Sequence, residues 1–256
     1  MRTAVKGIAL NTFRESARNK VFYLLVFFGV LFALSSKLVS FLTLGDAMKV
    51  LKDTGLAAIH FFSALIAVFT GVNLVYKEIE KKTVLNILSK PVSRDQFIFG
   101  KFLGLALTML VALAVMAGIF FVFVALNGGG FDPAIALYFL MLLLELLIIV
   151  AISLLFSSFT TPILSFIFTL SLYLIGHVMW TYNEFKVVLK APLWRGFARF
   201  LYYLLPNLAK FNIKNEVVLG TPPGAWTVLL SILYALAYIL ALLCLTILIF
   251  RRREFS

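Results

Sequence analysis

The chain has 256 residues, of which 62% are hydrophobic and only 13% charged, with a mean hydropathy of +1.05. A soluble domain carries roughly 25% charged residues, so the composition excludes an ordinary soluble enzyme or binding module and indicates an integral membrane protein. The net charge of +12 suits lipid headgroups and membrane orientation rather than nucleic acid, and a single cysteine, Cys244, excludes an intramolecular disulfide and a cysteine metal cluster.

Open strands leave backbone groups unsatisfied in lipid, so the expected fold is all-α, with one transmembrane domain over 1–256 and six membrane helices. Residues 1–20 are amphipathic, with Val5, Ile8, Ala9 and Phe13 on one face and Lys6, Arg14 and Arg18 on another. They predict an elbow helix in the headgroup plane. Arg2, Lys6, Arg14, Arg18 and Lys20 interrupt any apolar core there, which argues against a signal peptide. The first span, 21–44, must include Lys37, because its uncharged run stops at Ser36, short of the ~20 residues a bilayer requires. Lys37 is expected to snorkel to the interface. A polar loop over 45–54 leads to the second span, 55–76.

Residues 77–101 interrupt the apolar pattern. Lys77, Glu78, Glu80, Lys81 and Lys82 form a charged cluster, and Val84, Leu85, Ile87 and Leu88 follow at helical spacing. Pro91 ends this short helix, and Ser93 with Gln96 forms a capping box that opens the next one. The apolar face between them requires a cover, either a soluble partner or the membrane surface. The third span, 102–126, ends at Asn127 and three glycines. Asp132 and Pro133 start the fourth, 134–158, as cap and first-turn residue. Thr161 and Pro162 repeat that logic for the fifth, 162–182. Residues 183–225 form the longest polar insertion and contain a second amphipathic stretch over 192–205, with Arg195, Arg199 and Tyr202 opposite Trp194, Phe197, Leu201 and Leu204. The sixth span, 226–250, precedes Arg251, Arg252 and Arg253.

Basic residues set the orientation. One side carries five in the N-terminal segment, six in 77–101 and three in the tail; the other carries three in 37–54 and six in 183–225. The richer side is expected to be cytoplasmic, with both termini there. No Gly-x-x-x-x-Gly-Lys-Ser/Thr loop, Gly-x-Ser-x-Gly, paired Asp or His-Glu-x-x-His occurs, so no catalytic, cofactor-binding or metal site is expected. Two transport classes stand beside each other. One is a subunit driven by an ATPase on another chain. The other is a secondary transporter or channel with an inverted three-plus-three repeat, although no sequence match between the halves supports a repeat and Gly100-x-x-x-Gly104 has no second copy.

The stretch from Glu80 to Gly104, with Thr-Val-x-x-Ile-Leu-x-x-Pro-Val-Ser-Arg-x-x-Phe-x-x-Gly-Lys from Thr83 to Lys101, resembles the permease subunits of type-2 ATP-binding-cassette transporters. It is most similar to the branch that includes the nitrous-oxide-reductase maturation permease, which the segment Leu204 to Asn215 also resembles. One departure is Lys82, where many members carry Gly. The resemblance implies that Thr83 to Lys90 is a coupling helix seated on a separate ATPase. Glu80, Thr83, Val84, Leu85, Ile87, Leu88, Pro91 and Arg94 would form that interface. It further implies an exporter of the cell (inner or plasma) membrane, built as a permease homodimer with two ATPase copies that bind the ATP and Mg. It leaves room for an extracytoplasmic accessory protein.

Three residues are candidates for the translocation path. Glu145 is the acidic residue inside a span, about 17 Å from its start; it is either functional or a protonated acid bonded to a neighbouring helix. His60 and His177 fall near the same ends of their spans. A shared metal site would need a third ligand, and no Cys or Met cluster lies nearby, so interfacial hydrogen bonding is their expected role. Lys101 is expected to hold anionic lipid and Arg94 to face the ATPase.

Overall fold

All regular structure among the described residues is helical, as satisfied backbone in lipid requires. The computed structural model describes residues 2–42, 46–80, 93–178, 199–200, 202 and 204–252, with backbone alone for 2–4, 73–80 and 252. The elements are α1 (Arg2–Ala17), α2 (Lys20–Phe41), α3 (Ala47–Glu80), α4 (Arg94–Leu126), α5 (Pro133–Ser157), α6 (Pro162–Val178), a 3-10 turn (Leu208–Phe211), α7 (Lys214–Leu219) and α8 (Ala225–Arg252). Five of them (α2, α3, α4, α5 and α8) are long and apolar enough to cross a membrane. The fifth expected span is α6, whose 17 described residues extend about 25 Å against a hydrocarbon core of ~30 Å. Its expected last residues, 179–182, lie outside the described set.

Two of the expected caps form. Ser93 and Gln96 make a reciprocal capping box, and Asp132 accepts from the Ala134 amide with Pro133 at the first turn. One boundary differs. The 45–54 segment is not a loop from Ala47 onward but the first turns of α3. Asp46 caps it by accepting from the amides of Met48 (3.1 Å) and Lys49 (3.3 Å). The charges that suggested a loop are paired outside the helix, Lys52 to Asp132 at 3.0 Å and Asp53 to Lys214 at 2.8 Å.

Helix α5 is the core of the bundle. Of its apolar stretch 78% is buried, against 22%, 33% and 28% for α2, α4 and α8. Those three present leucines and phenylalanines such as Phe27, Leu38, Leu110 and Leu240 outward. In water such a surface would aggregate; in lipid it is the stable face. Helices α3 and α5 run side by side in the same direction. Lys52 pairs with Asp132, the Tyr138 hydroxyl donates to the Leu56 carbonyl (3.2 Å), and Gly71 lies against Ser153 so closely that a Cβ there would collide.

At the end of the bundle that holds α1, three helices are tied together: α1, α4 and α8. Gly100 and Gly104 form a groove for α1. A Cβ on Gly104 would sit 2.5 Å from both the Ala9 carbonyl oxygen and Thr12 Cβ, and one on Gly100 would sit 2.9 Å from Ile8 Cβ. The small-residue pair therefore admits α1 to contact with the α4 backbone. Arg94 Nη1 donates to the carbonyls of Phe250 (3.0 Å) and Arg251 (2.8 Å), a cation at the C-terminus of α8. Asp95 pairs with Arg251, and the rings of Phe97 and Phe250 stack at 5.7 Å. At the opposite, far end, the 3-10 turn closes over α6. Gly176 meets Leu208 and the Pro206 carbonyl, and Leu208 and Phe211 are fully buried.

Candidate functional site

Buried polar residues from three helices converge toward the far end. His60 is the fourteenth residue of α3 and Glu145 the thirteenth of α5, so the two sit about 20 Å and about 18 Å into their helices. His177 stands at the end of the described part of α6. His60 Nε2 lies 3.0 Å from Glu145 Oε1, and His177 Nε2 lies 3.4 Å from the same oxygen. The imidazoles meet edge to face at 5.4 Å. Glu145 is fully buried, His60 is buried and His177 is partly exposed.

The other ring nitrogens fix the tautomers. His177 Nδ1 is 3.2 Å from the Tyr173 carbonyl, one turn earlier on α6. A carbonyl only accepts, so this nitrogen carries the proton. His60 Nδ1 is 3.2 Å from the Tyr138 hydroxyl, which is 3.2 Å from the Leu56 carbonyl. With the hydroxyl proton given to Leu56, the phenol oxygen accepts from His60 Nδ1–H. Both Nε2 atoms are thereby free to present lone pairs toward Glu145, or to take a proton from it. Tyr138 and Glu145 are two turns apart on α5 and share a face.

A cavity of about 170 Å³ opens beside the cluster, lined by Ala57, His60, Phe61, Tyr173, His177, Asn212 and Lys214. Its polar rim comes from the 3-10 turn and α7 region, where Asp53 balances the Lys214 charge at 2.8 Å. The arrangement is thus a buried acid flanked by two imidazoles with access from the far end. It can hold a proton or a cation.

The sequence-predicted residues fall into separate groups. His60, Glu145 and His177 are brought together, and the third donor that the two histidines lacked on sequence is Glu145. Tyr138 was not foreseen; its seven-residue spacing from Glu145 was the available signal. Glu80 ends α3, while Thr83, Val84, Leu85, Ile87, Leu88 and Pro91 lie outside the described residues. Arg94 binds the α8 carbonyls of its own chain. Lys101 does not face lipid: it is 1% exposed, with its Nζ 5.9 Å from the Phe97 ring centroid, at the limit of a cation–π contact.

No curated protein matches the chain. The family model described as "ABC-2 family transporter protein" matches residues 7–255, which takes in α2 to α8, the His60–Glu145–His177 cluster and the segment that carried the sequence resemblance. The chain therefore belongs to the ABC-2 transporter family, as a multi-pass membrane permease subunit that works with an ATPase.

Proposed function

We propose that the chain is the permease of an ATP-driven exporter, paired with a second copy of itself and driven by two ATPase subunits that bind the ATP and Mg. Both termini face the cytoplasm of a cell membrane, and Thr83 to Lys90 couples to the ATPase together with the flanking residues, through Glu80, Thr83, Val84, Leu85, Ile87, Leu88, Pro91 and Arg94. The chain resembles the nitrous-oxide-reductase maturation branch in its sequence, and an accessory protein would meet the far end. Family membership removes the reading as a secondary transporter or channel.

The observation that carries this proposal is the junction at the start of α4. Helices α3 and α4 have 34 and 33 residues, about 50 Å each, well beyond a ~30 Å core. They flank residues 81–92. Directly after that segment α4 is fastened to α1 through Gly100 and Gly104 and to α8 through Arg94 and Asp95. A force applied at 81–92 would thus reach three helices without passing through flexible backbone.

The test is the double substitution Leu85→Asp and Leu88→Asp. Burying each leucine in a partner's groove would contribute ~1.5–3 kcal/mol. The variant is expected to insert and dimerise but to lose the ATPase in detergent pull-down, whereas Lys81→Ala keeps it. Retention of the ATPase at normal affinity by the double variant would assign 81–92 to the membrane surface instead.

A further inference from the structure

We propose that His60, Glu145 and His177 form an exchangeable binding site for a divalent transition-metal ion of the zinc type, reached through the far-end cavity. The inference rests on the cluster itself and not on the exporter reading, since it concerns binding by this chain alone.

Geometry is the first argument. Zinc bonds of ~2.0–2.1 Å to imidazole nitrogen and carboxylate oxygen, in a tetrahedron, place neighbouring donor atoms about 3.3 Å apart. The two nitrogen-to-oxygen separations are 3.0 and 3.4 Å, and the donor atoms of all three residues lie within 4.8 Å of one another. An ion would fit among them with small rotamer adjustments.

Proton placement is the second argument. Metal-bound histidines usually donate their other N–H to a carbonyl, carboxylate or similar group, which fixes the ring and raises ligand basicity. Both histidines have that outer partner: the Tyr173 carbonyl for His177 and the Tyr138 hydroxyl, held in turn by Leu56, for His60. Each therefore turns an Nε2 lone pair into the cluster. The third argument is the carboxylate. Glu145 is 0% exposed, and its Oε2 has no hydrogen-bond donor among the described residues. A buried carboxylate oxygen without a donor is costly, and a dication satisfies it directly.

The donor set selects the ion. Two imidazoles and one carboxylate suit Zn²⁺ and its first-row neighbours, whereas Ca²⁺ and Mg²⁺ prefer an all-oxygen shell and Cu⁺ prefers sulfur. Three protein donors leave a fourth position for water or an incoming ligand, the mark of an open site rather than a closed structural one. The cavity supplies that access, since His60 and His177 both line it.

The experiment uses the full chain, purified in detergent with a tag that contains no histidine, stripped with chelator and carrying Cys244→Ser. Titration with Co²⁺ is expected to produce the visible bands of a tetrahedral centre at one ion per chain, displaced by Zn²⁺ and not by Ca²⁺. The chain contains two histidines in all, so a tetrahedral nitrogen-rich spectrum has no other source. Tyr138→Phe, which keeps the ring but removes the outer partner, is expected to weaken binding by about 10-fold or more. Glu145→Gln and His177→Ala are expected to lose more than that. A wild-type titration that yields only the octahedral spectrum of solvated Co²⁺ would overturn the site even if every variant failed to fold. Unchanged affinity in folded Glu145→Gln and His177→Ala would overturn it equally. Neither result bears on ATPase association, which is read separately by pull-down.

Discussion

The packing of α1 on α4 makes a quantitative prediction through two glycines of one helix. Gly104 faces α1, and an added methyl would lie 2.5 Å from the Ala9 carbonyl oxygen and from Thr12 Cβ. The oxygen belongs to backbone, so the helices must separate rather than a side chain rotate. Gly118 lies on the same helix with nothing within 4 Å of its added Cβ. Both Gly→Ala changes gain the same helix propensity, up to ~1 kcal/mol. Their difference therefore isolates the overpacking cost, about 1–3 kcal/mol. For a chain of this size that corresponds to a separation in Tm of roughly 2–12 °C, with Gly118→Ala the more stable. Thermal melting of the two variants in one detergent measures it.

A second readout localises the effect. Ser16 is fully buried one turn beyond Thr12, so Ser16→Cys in a Cys244→Ser background should react slowly with a thiol reagent. Gly104→Ala should accelerate that reaction and Gly118→Ala should not. Equal melting and equal labelling of the two glycine variants would refute the close approach of α1 to α4.

Three further outcomes are expected. Arg94→Ala removes the donor to the Phe250 and Arg251 carbonyls and should cost about 1–3 kcal/mol; melting of the purified chain measures the loss, and pull-down should show a weaker ATPase complex through the loosened start of α4. In metal-free protein, Glu145→Leu strands both Nε2 atoms and should lower Tm by several degrees, while Glu145→Gln, which keeps polar atoms in place, should melt close to wild type. With Cys244 replaced, Asn127→Cys should react with an impermeant reagent from outside intact cells and Lys82→Cys only after permeabilisation; the reverse pattern would invert the proposed orientation.

Local signals with one physical cause were legible in the sequence. Ser93 with Gln96, and Asp132 with Pro133, cap as written because capping requires residues only three apart or fewer. The bulk apolar pattern likewise identified the five helices that are long and apolar enough to cross a membrane. Gly100 and Gly104 were a weaker case. Two small residues on one helix say that something approaches, but not what; that α1 fills the groove depends on the turn at Asn19, whose side chain caps α2 by accepting from the Val21 amide at 3.0 Å. Lys101 was misplaced for the complementary reason. Its charge suggested headgroups, yet it directly follows Gly100, on the part of α4 covered by α1, where it is buried.

The cluster was hidden by a helix boundary. Counting from the expected start at Gly55, His60 lies five residues into its span, roughly 7 Å deep, while Glu145 lies about 17 Å deep. On those depths the two cannot meet. The error came from reading Lys49, Lys52 and Asp53 as solvated loop residues, when Asp46 caps the helix ahead of them and Asp132 and Lys214 neutralise two of the three. Charge near a membrane boundary marks a loop only when it has no partner, and partners on other helices are invisible in one sequence. Once α3 begins at Ala47, eight residues earlier, His60 and Glu145 stand one position apart in their helices. The parallel alignment of α3 and α5, held by Lys52 with Asp132 and Leu56 with Tyr138, then turns equal depth into contact. Three residues that carry no motif in the sequence become one site through the position of a single helix cap.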